Sequence, residues 1–239
     1  MATFMTGARP SPRHKLLAAE PHKVVTAPPP QAAWIPAKLD MWGNDQYGDC
    51  VTAEEAFAKA TYSPEIFIDA KTVEAWAKRH GFLNGADLTS VMDAMQKDGF
   101  VVGNQQYDDG PYTGVDFSNE TVLQSALSQA PVKIGIDASA LPGDAGNKMG
   151  WHAVGAGHYP NTDHCVSLCG YGPTAWLYQQ LGVPLPSGLP ASGYLLYTWK
   201  TIGFVDHAWL MSTCTEAWLR NPTTVGNPPL AAPPLNWVV

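Results

Sequence analysis

Positive charge is scarce in this chain. Lys and Arg total 14 against 21 Asp and Glu, for a formal net charge of −7 over 239 residues. No basic stripe is present to neutralise a phosphate backbone, which argues against nonspecific nucleic-acid binding. Cysteine is sparse as well. Four of them, at irregular spacing, do not make a disulfide framework in a chain this long, so a reducing compartment is expected. Long apolar runs are missing: none approaches the ~20 residues of a membrane span. The segment from Met1 to Pro10 has no apolar core of the signal-peptide kind, and the expectation is a cytoplasmic protein with no membrane association. Ligand spacing for a metal is absent too, and neither a metal nor another cofactor is expected.

What is present suits a core. Apolar residues make up 45% of the chain and charged ones 15%, which excludes compositional disorder and allows one globular unit with a substantial interior. The segment Gly43-Asn44-Asp45-Gln46-Tyr47-Gly48-Asp49-Cys50 is a glycine turn that delivers a single thiol to the start of Val51 to Ala60. There Ala53, Ala56, Phe57 and Ala60 recur at helical spacing and can bury one face. Cys50 thus belongs in a first helical turn, where unpaired amides and the positive end of the helix dipole favour a thiolate. Asp49 is placed to cap that turn, although its charge opposes ionisation of the neighbouring thiol.

A thiolate needs a base, and Asp163 to Gly172 supplies the best candidate. His164-Cys165-Val166-Ser167-Leu168-Cys169 reads as a strand ending at a Gly170-Tyr171-Gly172 turn. Alternation puts His164, Val166 and Leu168 on one face and Cys165, Ser167 and Cys169 on the other. A zinc site built from His164, Cys165 and Cys169 together is therefore not expected. Four residues of extended strand also hold the Cys165 and Cys169 Cα atoms roughly 13 Å apart, too far for a disulfide. A second histidine segment, Trp151 to Tyr159, is glycine-rich and reads as a loop forming one wall of a cleft.

These blocks, in this order, resemble the papain-like cysteine peptidase superfamily. Gly48-Asp49-Cys50 is similar to the family's Gly-Ser-Cys nucleophile turn, and Asp163-His164 followed by Gly170-Tyr171-Gly172 to its histidine strand. Leu123 to Ala138 resembles the helix-then-strand block that precedes the histidine, and Tyr194 to Gly203 the strand carrying the third catalytic position. The resemblance covers roughly residues 42–219. It implies an α+β, papain-like two-lobed fold, with a helical lobe carrying the nucleophile and an antiparallel β lobe carrying the histidine. It also implies a cysteine hydrolase acting on a peptide or protein substrate, with Cys50 as nucleophile and His164 as base. Asn44 stands where the family has its oxyanion-hole glutamine, one methylene shorter. The third position falls on Lys200 or Tyr197, depending on the anchor, and neither is the family's asparagine. Lys200 and the proline-rich ends favour the alternative of a catalytically inactive relative serving as a binding or structural module.

Residues 1–35 read as an extended proline-rich arm, 36–220 as the papain-like domain and 221–239 as a proline-rich tail. Both ends are candidates for docking on the body or on a protein partner. Any self-inhibition has to come from a short peptide lying in the cleft. Residues 173–193 read as an insertion with a brief helix at Ala175 to Leu181. Helices are expected at Thr72 to His80, Leu88 to Lys97 and Thr121 to Gln129, with Cys214 in a late helix near Glu216 to Leu219. Strands are expected at Val132 to Asp137, Cys165 to Cys169 and Tyr194 to Trp199.

Overall fold

The computed structural model describes residues 4–159 and 161–226. Its helices are α1 (Arg13–Ala18), α2 (Cys50–Ala60), α3 (Ala70–His80), α4 (Leu88–Met95), α5 (Glu120–Leu127), α6 (Thr174–Leu181) and α7 (His207–Thr213). The strands are β1 (Ala8–Arg9), β2 (Ala32–Ala33), β3 (Ala86–Asp87), β4 (Phe100–Val102), β5 (Gln105–Asp108), β6 (Tyr112–Gly114), β7 (Val132–Ile136), β8 (His152–Ala153), β9 (His164–Pro173), β10 (Ser192–Thr198), β11 (Thr201–Val205), β12 (Cys214–Arg220) and β13 (Thr224–Gly226).

One sheet, ordered β6-β12-β7-β9-β10-β11-β8 with β2 on β9, organises the molecule. It is antiparallel except where β8 runs beside β11. Its central strand shows the period-2 pattern directly. Cys165 and Cys169 enter the core shared with α2, α3 and α4, whereas Val166 and Leu168 enter the core under α5 and α7. A bulge at Cys169, where Leu195 and Leu196 pair with Gly170 and Leu168, then turns Tyr171 into the second core. A helical lobe thus packs on one face of an antiparallel lobe. Asp69, Asp87 and Asn119 cap α3, α4 and α5 by accepting first-turn amides, and Gly81 ends α3 in the left-handed conformation.

Three local expectations are corrected. Gly170-Tyr171-Gly172 is not a turn: it continues β9, because Ala32 and Ala33 pair with Tyr171 and Gly170 on one side and β10 on the other. Cys214 opens β12 instead of packing in a helix, its segment being drawn into register with β7. Within residues 1–35 the chain is not extended throughout: α1 forms a short helix, and β1 and β2 pair with the body. Of the proline-rich tail, 221–226 are described and 227–239 lie outside the described residues.

Helix α2 differs from an amphipathic surface helix, since all eleven of its residues are buried. Its charged side chains survive there by pairing. Lys133 on β7 binds Glu55 and lies 3.2 Å from Glu54, and its Nζ donates to the Val51 carbonyl at 3.0 Å. Arg220 at the end of β12 forks onto Glu54 and reaches Glu55 at 3.3 Å. Lys59 meets Asp109 at 2.9 Å. The neighbouring cations hold the Glu55 carboxyl well below its ordinary range despite burial. The helix that carries Cys50 is therefore fixed to the sheet by ion pairs as well as by packing.

Candidate active site

Cys50 is the first residue of α2 and is only 2% exposed. Its sulfur faces the backbone N–H groups of Cys165, Ala8 and Gly7, so the thiol abuts the residue that follows His164. His164, 1% exposed, starts β9. Its Nε2 lies 2.8 Å from Thr198 Oγ1, and its ring stacks on Trp199 with centroids 4.5 Å apart. Nδ1 is buried without a hydrogen-bond partner. With Nε2–H donating to Thr198, Nδ1 keeps its lone pair, unpaired among the described residues.

The residue beside the imidazole is thus Thr198, which sequence reasoning missed. Lys200 is exposed in the two-residue turn between β10 and β11, where it and Trp199 take positive φ (64° and 43°). Tyr197 points to the other face, stacked on Phe57 of α2 at 3.9 Å, with its hydroxyl donating to the Asp40 carbonyl. Strand parity carried the signal: Tyr194 and Leu196 lie in the core that holds Val166 and Leu168, and Thr198 is the next residue on that face.

Asn44 is buried, and its amide donates to the Tyr47 carbonyl at 3.0 Å within its own turn. That bond commits the Asn44 side chain to its own turn. Gln46 is exposed. Asp49 occupies the N-cap position, yet its side chain caps nothing: its backbone carbonyl accepts from Thr52 and Ala53, and both carboxyl oxygens are buried without partners. Burial, with Glu74 and Asp45 nearby, pushes that carboxyl up to about 8, so it is largely neutral beside the thiol.

Residues 4–9 fill the space over the thiol. Phe4 stacks on Trp199 at 4.9 Å, Trp199 Nε1 donates to the Met5 carbonyl, and the Met5 amide donates to the Asn44 carbonyl. The Gly7 and Ala8 amides both donate to the carbonyl of Asp163, and Ala86 N–H to that of Gly7. Beyond this point Ala8 and Arg9 pair in parallel with Ala86 and Asp87. Gly7 is pressed so closely on the Gly48 carbonyl that a Cβ there would lie 1.9 Å from the oxygen. The expected low thiol pKa is accordingly absent: burial pushes Cys50 up to about 12, and burial also lowers His164 to about 3. As arranged, the pair is a neutral thiol and a neutral imidazole.

The unpaired Asp49 carboxyl yields a prediction with a definite sign. In the folded chain it keeps its proton up to pH about 8, whereas an unfolded Asp loses it near about 3.9. The folded state is then penalised increasingly as pH rises between those values. Asp49→Asn is expected to stabilise the protein by about 1–3 kcal/mol at pH 8 and to leave it unchanged at pH 4. Urea unfolding at the two pH values measures this, and an equal effect at both would contradict it.

A buried helix that starts with a cysteine, packed on an antiparallel sheet whose central strand starts with a histidine, is the arrangement of the papain-like fold. Solved structures agree. The Amb a 11 cysteine protease, a ragweed pollen allergen in its proform, aligns with TM-score 0.61 at 13% identity, covering 87% of this chain and 72% of that one. Xylellain, a cysteine protease from Xylella fastidiosa, aligns with TM-score 0.59 at 14% identity over 93% of this chain and 98% of that one. Digestive procathepsin L 3 of Tenebrio molitor larval midgut gives TM-score 0.58 at 13% identity over 85% and 73%. No family model and no curated protein matches the sequence. The chain has the papain-like fold, with mixed helices and a many-stranded sheet. Among the described residues no helix is long and apolar enough to cross a membrane, and no cluster of three or more His, Cys, Asp or Glu is arranged to hold a metal ion.

Proposed function

We propose that this chain is a cysteine peptidase of the papain type, latent in the arrangement described because residues 4–9 occupy its cleft. The observation that carries the reading is the pairing of Cys50 with the start of β9 while Thr198 holds His164 Nε2 and leaves Nδ1 free. With the cleft open to a peptide, Cys50 Sγ attacks the scissile carbonyl carbon as its proton passes to Nδ1 of His164. The oxyanion is met by the Cys50 backbone N–H, joined by the Asn44 amide once it turns from the Tyr47 carbonyl. The imidazolium then protonates the leaving amine, and water, deprotonated by the same nitrogen, releases the acyl group from sulfur. The cytoplasm remains the proposed location, supported by four unpaired and buried cysteines.

A second reading, a binding module without catalysis, is favoured by one observation: Asn44 is committed to its own turn and the cleft to its own chain. Turnover of a mixed peptide library separates the two. The full chain carrying Gly7→Leu, which cannot seat residues 4–9 against Gly48, is expected to cleave peptides, and the same chain with Cys50→Ala to cleave none. Equal products from both would remove the proposal.

Thr198 is assigned a positioning role. Thr198→Val in the Gly7→Leu background is expected to lower kcat on the order of tenfold with little change in KM, because only imidazole orientation is lost. Thr198→Ser, which keeps the hydroxyl, should restore most of it. Loss of activity in both variants alike would mean that the threonine acts through packing.

A further inference from the structure

At the end of α2 far from Cys50, about 16 Å along the helix, lies a groove of about 570 Å³. Tyr62, Pro64 and Phe67, from the segment that follows α2, form one wall. Val102, Tyr107 and Val225, from β4, β5 and β13, form the other. It is apolar and open, and nothing in the described residues covers it.

Its hydrogen-bonding groups are donors left over. The Tyr62 hydroxyl accepts from Thr223 N–H at 3.2 Å and so retains its own proton, and Tyr107 OH donates to Gln105 Oε1, with no partner for the Gln105 amide N–H groups among the described residues. The one carboxylate on the rim, Glu65, is held by the Ala37 amide. A polyproline-type strand is the ligand such a surface fits. Proline rings pack on aromatic faces, and a backbone without N–H groups offers only carbonyls, which need donors.

The chain itself supplies one. Described residues end at Gly226, one position beyond Val225 in the groove wall, and the sequence continues Asn227-Pro228-Pro229-Leu230-Ala231-Ala232-Pro233-Pro234-Leu235. This carries Pro-Pro-Leu twice, five positions apart, and residues 227–239 contain no charged side chain. Extended at ~3.1 Å per residue, eight residues reach roughly 25 Å, ample to return over the groove. The same chain already seats one proline run on its body in this way, with Tyr171 OH donating to the Pro29 carbonyl at 2.8 Å.

We propose that the groove between Tyr62–Phe67 and the β4-β5-β13 sheet is the docking site for residues 228–235 of the same chain. The occupant is recognised by paired prolines against tyrosine faces and by its lack of charge. Tethering one residue from the wall gives the tail a high effective concentration, so weak contacts suffice.

The test uses full chains and a fluorescein-labelled peptide of residues 227–239, followed by polarisation. A full chain with Pro228, Pro229, Pro233 and Pro234 all changed to Ala should bind the peptide, because its groove is vacated. The unaltered chain should bind it at least tenfold more weakly. Adding Val102→Glu, a substitution at a partly exposed position, should abolish binding in the tetra-alanine chain, and a peptide with the four prolines changed to Ala should not bind. Equal peptide affinity for the unaltered and tetra-alanine chains would overturn the proposal, as would binding indifferent to Val102→Glu or to the peptide's prolines. Sedimentation of the unaltered chain as a dimer that the proline changes dissolve would also overturn it, by assigning the tail to the groove of a second copy.

Discussion

Gly7→Leu in the full chain is expected to raise the rate of Cys50 alkylation at pH 8 by about a hundredfold. The magnitude follows from the thiol's surroundings. With its pKa pushed up to about 12, only about one thiol in ten thousand is ionised at that pH, against roughly a quarter for a free cysteine. A thiolate of lower pKa is less nucleophilic, and this offsets about half of the gain on a logarithmic scale. The substitution acts on the cause of burial, because a Cβ at Gly7 would sit 1.9 Å from the Gly48 carbonyl oxygen and displace the segment that covers the sulfur. Iodoacetamide labelling followed by mass spectrometry measures the rate. An unchanged rate would mean that something other than residues 4–9 silences the thiol.

The second large effect concerns stability. Lys133→Met is expected to cost about 3–5 kcal/mol, enough to unfold much of the population. Lys133 is fully buried, where it neutralises Glu55, approaches Glu54 and holds the Val51 carbonyl. Truncating it leaves Arg220 facing two buried carboxylates alone. The combined change of Lys133→Met with Glu55→Gln should recover a good part of the loss, since the desolvated charge is then removed with its partner. Chemical denaturation of the single and double variants tests this, and a loss for the single variant below 1 kcal/mol would contradict it.

Much of the site could be read from the sequence because it rests on short-range rules. A glycine turn before an apolar-spaced run placed Cys50 at a helix start, and strand alternation separated His164 from Cys165 and Cys169. Three features escaped for physical reasons. Motif spacing points to Lys200 or Tyr197 and skips Thr198, whereas strand parity, the stricter rule, ends at residue 198 where the chain turns. The burial of α2 on every side was not visible because its charged residues look like a solvated face. Their partners, Lys133, Arg220 and Asp109, lie 78, 166 and 50 positions away. The silent thiol likewise depends on residues 4–9 meeting residues 44, 48, 86 and 163, contacts no local pattern encodes.

Peptide cleavage by this chain requires Cys50 and His164 to act together once residues 4–9 leave the thiol. The measurement that tests this most directly is labelling of the Gly7→Leu chain by an epoxysuccinyl peptide, read by mass spectrometry, with and without His164→Ala. Modification confined to Cys50 and lost in the His164→Ala chain is the predicted result. Labelling that survives the loss of His164, or that falls equally on Cys165, Cys169 and Cys214, would contradict a working pair and leave the fold as a binding module.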